Sequence, residues 1–126
     1  MVNKSSAASE LLSQIVIQGI QEVKGHEILS IDLRNITNAV SDFFVICHGN
    51  SDTQVEAIAR SVEDLVEEKL GEKPLHKEGT DNAEWILMDY FNVVVHIFKP
   101  ESREFYNLEK LWADATVKEI EYQLEN

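Results

Sequence analysis

The stretch "EWILMDYFNVVVHIFKPESREFY", residues 84–106, decides the fold. Residues 85–88 and 93–98 are two runs rich in β-branched and aromatic side chains, the composition that fits a pleated, half-buried sheet. Their spacing predicts an antiparallel hairpin. With Tyr90 and Phe91 in the turn, Trp85 falls opposite His96. Trp85, Leu87, Val94 and His96 then share one face, and Ile86, Met88, Val95 and Ile97 share the other. Both faces are largely apolar, so a sheet carrying this hairpin needs cover on each side, from helices or from a partner protein.

Working outward, two amphipathic helices supply part of that cover. Over residues 11–23 the apolar positions Leu11, Leu12, Ile15, Val16, Ile20 and Val23 recur at helical spacing, and Gly25 is placed to end the helix in a left-handed conformation. The second helix starts at "GNSDTQ", where Ser51 and Gln54 have the spacing of a reciprocal cap. Val55, Ile58, Ala59, Val62, Leu65, Val66 and Leu70 form its apolar stripe, Glu56, Arg60, Glu63, Glu67 and Glu68 face water, and Gly71 with Pro74 closes it. Between the helices, residues 28–33 and the uniformly apolar residues 43–47 read as strands, joined by residues 32–42. Residues 75–78 predict a brief, charged edge strand. After the hairpin, Pro100 favours a helical start, and Leu108, Leu111 and Trp112 offer an apolar cluster that folds back on the sheet. Val117, Ile120 and Leu124 stand at helical spacing and predict a short terminal helix within the acidic tail, residues 116–126.

The expected architecture is α/β, a mixed sheet of about five strands flanked by helices. With 126 residues, 44% of them hydrophobic, and no repeat, the chain is expected to form a single domain, 1–126. Only two long helices are available for two sheet faces. One face is therefore expected to be thinly covered, and Trp85 and its neighbours become candidates for docking.

Composition narrows the function. Eleven basic against 23 acidic residues give a net charge of −12, which repels phosphate backbones and steers basic partners inward. Direct nucleic-acid binding is disfavoured. The single cysteine, Cys47, permits no internal disulfide and fits a reducing compartment. No secretion signal and no apolar run near the roughly 20 residues of a membrane span is present, so a cytoplasmic protein without a membrane anchor is expected.

The histidines His26, His48, His76 and His96 are scattered, without the spacing of a zinc site. No metal or cofactor is expected, and His96 reads as a sheet-face histidine. In "HGNSD", residues 48–52, Ser51 lacks the second glycine of a nucleophile elbow and is better explained as a helix cap. Gly49 and Ser51 between a strand and a helix also match the opening of nucleotidyltransferase sites, which need closely spaced acids for two metal ions. Asp89 stands alone at the hairpin end, and the nearest such pair, Glu119 and Glu121, lies in the tail. A nucleotidyltransferase-like enzyme and a dimerising adaptor for another basic partner are the competing readings.

The blocks "SDFFVICHGNSDTQVEAIA" (residues 41–59), "KEG" (77–79), "WILMDYFNVVVHIF" (85–98) and "PESREFYNLEKLW" (100–112) occur in order and resemble the Iojap family, the ribosomal silencing factors or RsfS proteins. The resemblance spans about residues 11–115. Phe91 stands where the family's hairpin turn usually has glycine, Lys99 where histidine is common, and the acidic tail is longer. The resemblance implies a nucleotidyltransferase-like core without catalytic residues and a non-enzymatic factor that often forms homodimers. It implies binding to the large ribosomal subunit through ribosomal protein fourteen, blocking the small subunit and lowering translation under nutrient limitation. The positions that match the family's contact residues are Glu78, Trp85, Met88, Asp89, His96, Phe98, Arg103 and Tyr106.

Overall fold

The structure, a computed structural model, describes residues 4–112 and 114–121. In chain order the elements are α1 (Lys4–Glu22), β1 (His26–Asp32), β2 (Phe43–His48), α2 (Asp52–Leu70), β3 (His76–Glu78), β4 (Trp85–Asp89), β5 (Val93–Phe98), α3 (Pro100–Tyr106), α4 (Leu108–Leu111) and β6 (Thr116–Glu119). The strands form one mixed sheet in the order β3-β4-β5-β2-β1-β6. Among the described residues only β2 and β5 pair in parallel; the other neighbours are antiparallel. The α/β class is as expected, with six strands rather than about five. The additional strand comes from the tail: residues 116–119 pair with β1 instead of forming a helix. Residues 122–126 of the predicted helix lie outside the described residues.

The long helices begin and end for local reasons. At the end of α1 the left-handed residue is Lys24, at φ 57°, not Gly25 as expected. Gly25 N–H reaches the Ile20 carbonyl and Lys24 N–H the Gln21 carbonyl, the paired bonds of a Schellman closure. Gly25 is needed for space instead, since a Cβ there would lie 2.4 Å from Ile20 Cγ2. At the start of α2, Ser51 Oγ accepts the Gln54 N–H at 3.1 Å. The Gln54 side chain does not reciprocate to Ser51. Its Oε1 accepts from Asn50 N–H, and its Nε2 donates to the Lys24 carbonyl, tying the start of α2 to the end of α1. Gly71, at φ 67°, closes α2.

The two faces of the sheet are covered differently. Under α1 and α2 lies an almost wholly hydrophobic core that includes Leu12, Val16, Ile20, Val45, Ile58, Val62, Ile86, Met88, Val95 and Ile97. Cys47 sits in this layer, and burial pushes its thiol up to about 12, which leaves it protonated and inert. On the opposite face a second cluster gathers Ile31, Leu33, Phe44, Ile46, Val94 and Phe98. Its cover consists of Ile36 and Ala39 from the β1–β2 connection and Leu108, Trp112 and Ala115 beyond α3. Neither long helix contributes to it, as the helix count anticipates.

The hairpin between β4 and β5 differs in register from the expected one. Trp85 pairs with Phe98 and Leu87 with His96, two positions from the expected partners. An even shift keeps every side chain on its face. The turn is centred on Phe91 because Asn92 N–H bonds the Tyr90 carbonyl around Phe91 at φ 76°, the rare and strained form of γ-turn. Asp89 Oδ1 accepts Phe91 N–H at 2.7 Å and holds that conformation in place.

Candidate protein-binding face

The thinly covered face owes its character to alternation along β4 and β5. Trp85, Leu87 and Asp89 project from β4 to the same side as Val94, His96 and Phe98 from β5. Gly79, at φ 82°, allows the β3–β4 connection to pass against the start of β4, where a Cβ would overlap the Trp85 carbonyl. That approach fixes the backbone from which Trp85 springs.

Aromatic rings fill the face. The Trp85 ring stacks on Phe98 at 5.0 Å and meets Tyr106 at 4.5 Å, centroid to centroid. Tyr106 also lies over Phe98 at 6.3 Å. Phe98 is fully buried beneath this pair, whereas Trp85 is half-buried and Tyr106 is 46% exposed. Phe105, edge-on to Tyr106 at 5.1 Å, is more exposed still. Ring pairs at these separations are preferred geometries that stabilise beyond area alone.

His96 is the polar member of the cluster. It is buried to 4% exposure, and Phe44 packs edge-on against it at 4.8 Å. The Trp85 indole N–H donates to His96 Nδ1 at 3.1 Å, which places the proton of the neutral imidazole on Nε2. Among the described residues Nε2 has no hydrogen-bond partner. Burial lowers the His96 pKa to about 4, so the ring is neutral at physiological pH.

The remaining expected site residues fall at different depths. Glu78 is exposed on edge strand β3, beside Leu87 in register and 3.1 Å from His76 Nε2. Asp89 caps the Phe91 turn and is half-buried. Arg103 donates through Nη1 to His48 Nδ1 at 2.9 Å, at the end of the sheet. Met88 does not join them. It is fully buried on the opposite face under the helices, because one step along a strand reverses the side-chain direction. Leu87, Phe44 and Trp112 also belong to the face without having been among the contact candidates, the last 5.7 Å edge-on from Phe44. Leu87 was legible from alternation. Phe44 lay in a uniformly apolar run whose faces only the register distinguishes.

Ser51 caps α2, and Asn50 Nδ2 lies 3.1 Å from His26 Nε2. Among the described residues no group of three or more His, Cys, Asp or Glu side chains is arranged to hold a metal ion, and no helix is long and apolar enough to cross a membrane.

Known proteins resemble this chain in sequence and fold. The family model described as "Ribosomal silencing factor during starvation" matches residues 5–126. A Bacillus subtilis relative named ribosomal silencing factor RsfS is 42% identical over 109 residues, 86% of this chain and 91% of its own length. A relative of the same name from Halalkalibacterium halodurans is 38% identical over 114 residues, 90% of this chain and 96% of its own. A crystal structure of a Chromobacterium violaceum protein is similar with a TM-score of 0.77 at 31% identity, over 82% of this chain and 85% of that one. By sequence over nearly its whole length, the chain belongs to the RsfS family of ribosomal silencing factors.

Proposed function

We propose that this chain works by obstruction: it binds the large ribosomal subunit through ribosomal protein fourteen and denies the small subunit its place, lowering translation under nutrient limitation. The observation that carries this reading is the contact of Trp85 with Tyr106, two aromatic side chains that reach solvent on the face both long helices avoid. Aromatic anchors over a well-packed base are the usual centre of a protein interface. Phe98 and His96 form that base, Leu87 extends it, and exposed Glu78 and Glu84 supply acidic groups suited to a basic partner. Asp89 shapes the adjoining turn, Arg103 acts from the side, and Met88 has no part. The relatives' name, ribosomal silencing factor, supports the ribosome as target. The reading also places the protein in the cytoplasm, as the homodimer the family resemblance implies and without enzymatic activity.

Sedimentation tests it. Purified chain added in excess to separated subunits is expected to travel with the large subunit and to reduce the yield of joined ribosomes. Unchanged joining, with the chain left at the top of the gradient, overturns the reading.

A further inference from the structure

α3 carries Tyr106, the outer wall of the aromatic face, yet none of its seven residues is buried. Beyond the ring contacts of Tyr106, polar contacts help to seat it. Arg103 stands one turn before Tyr106, on the same side of the helix. Its Nη1 lies 2.9 Å from His48 Nδ1 at the end of β2 and 3.5 Å from the His26 carbonyl of β1. The strands are shaped for this contact. A bulge at Glu27, with φ 47°, shifts the register of β1 and sets His26 opposite His48, their rings stacked at 5.4 Å.

We propose that His48 and Arg103 form a proton-sensitive clasp that seats α3, making His48 a positioning residue for the Tyr106 wall of the aromatic face. The logic is one of hydrogen-bond roles. A guanidinium has donors only and stays charged in proteins, so His48 Nδ1 must offer its lone pair. Adding a proton to Nδ1 sets donor against donor and cation against cation. The bond then breaks, and α3 loses one of the contacts that hold it.

The groups facing His48 act in opposite directions. Burial, the Arg103 charge and His26 hold its pKa below the ordinary value, and Glu27 alone raises it. Glu27 Oε2 is 3.8 Å from Nδ1 but 77% exposed, so solvent screens its pull. Glu104 of α3 lines the same cleft with Glu27, Pro100 and Asn107. The clasp is therefore closed at neutral pH and opens as pH falls below the usual histidine range of about 6.5.

The consequence for binding rests on the aromatic face being the docking surface, but the clasp itself is testable without any partner. In the free full-length chain, proton NMR cross-peaks between the Trp85 and Tyr106 rings report whether Tyr106 is seated, with the Trp85 indole assigned by Trp112→Phe. Between about pH 7.5 and about pH 5, above the value of about 4 to which burial lowers His96, these cross-peaks are expected to fade with the midpoint at which the His48 ring signals move. His48→Gln presents a carbonyl acceptor that does not titrate and is expected to keep the cross-peaks across the range. Arg103→Met is expected to lose them at every pH while the amide signals of α1 and α2 stay in place. Cross-peaks that persist while His48 titrates in the unaltered chain overturn the proposal, whether or not either variant folds. Failure of the docking reading appears instead in the sedimentation experiment.

Discussion

The two faces of one sheet solve the problem of burial in different ways. Beneath α1 and α2 the side chains are mostly aliphatic and shielded by two helices of 19 residues each. The other face is aromatic, carries a buried imidazole, and relies on a loop and two short helices for cover. The first arrangement maximises apolar area removed from water, the main favourable contribution to folding. The second trades some of that area for rings held at defined angles near solvent. Stability should be concentrated on the helix side, and recognition on the other.

Perturbing each face in turn tests that division. The largest effect is expected from Ile58→Ala in α2, which opens a cavity in the fully buried layer and should cost about 4 kcal/mol of unfolding free energy. Chemical denaturation measures it. Because Ile58 lies away from the aromatic face, the fraction that remains folded should bind large subunits with unchanged affinity. A loss of affinity in the folded fraction would mean that the faces are not separable.

Acid should reach the aromatic face first. His96 binds its proton more weakly folded than unfolded, so the native state holds fewer protons and stability rises with pH. The contribution is complete above the unfolded pKa near 6.5 and declines as pH falls toward about 4. At about 1.4 kcal/mol per pKa unit, the decline amounts to about 3 kcal/mol. Urea midpoints across that range, compared with His96→Leu, isolate it; His48 contributes in the same direction. Equal pH dependence in both proteins would show that His96 does not govern this window.

The smallest expected effect is the most specific. Trp85→Ala should weaken large-subunit binding by about 2 kcal/mol. It should also lower stability, because His96 Nδ1 loses its donor. Binding calorimetry paired with a melt separates the two losses. A change in melting temperature with undiminished affinity would move Trp85 from anchor to filler.

Much of this division was legible in the residues themselves. Period-two alternation sorted the hairpin into its two faces and placed Met88 away from Trp85; only the family resemblance brought Met88 among the contact candidates. The helical stripes and the Ser51 and Gly71 caps identified the helices, and their number exposed the shortage of cover. What escaped depended on distant partners or on strain. The turn at Phe91 requires a positive φ that a bulky residue rarely adopts, and it is sustained by Asp89. Val117 and Ile120, three apart, fit a helix as well as anything, but a vacant edge on β1 decides for a strand. Arg103 read as a surface contact because nothing local points to His48, 55 positions earlier.

That vacant edge has a practical implication. β6 matches Thr116 to Glu119 against the outer side of β1 with four exposed residues, shielding β1 from foreign strands much as selvage keeps cloth from fraying. A version shortened after Ala115 would retain the aromatic face while leaving Leu29 to Asp32 with unmated peptide groups, and it should self-associate as concentration rises. Affinity handles on this protein are better attached where they leave that last ribbon of backbone undisturbed.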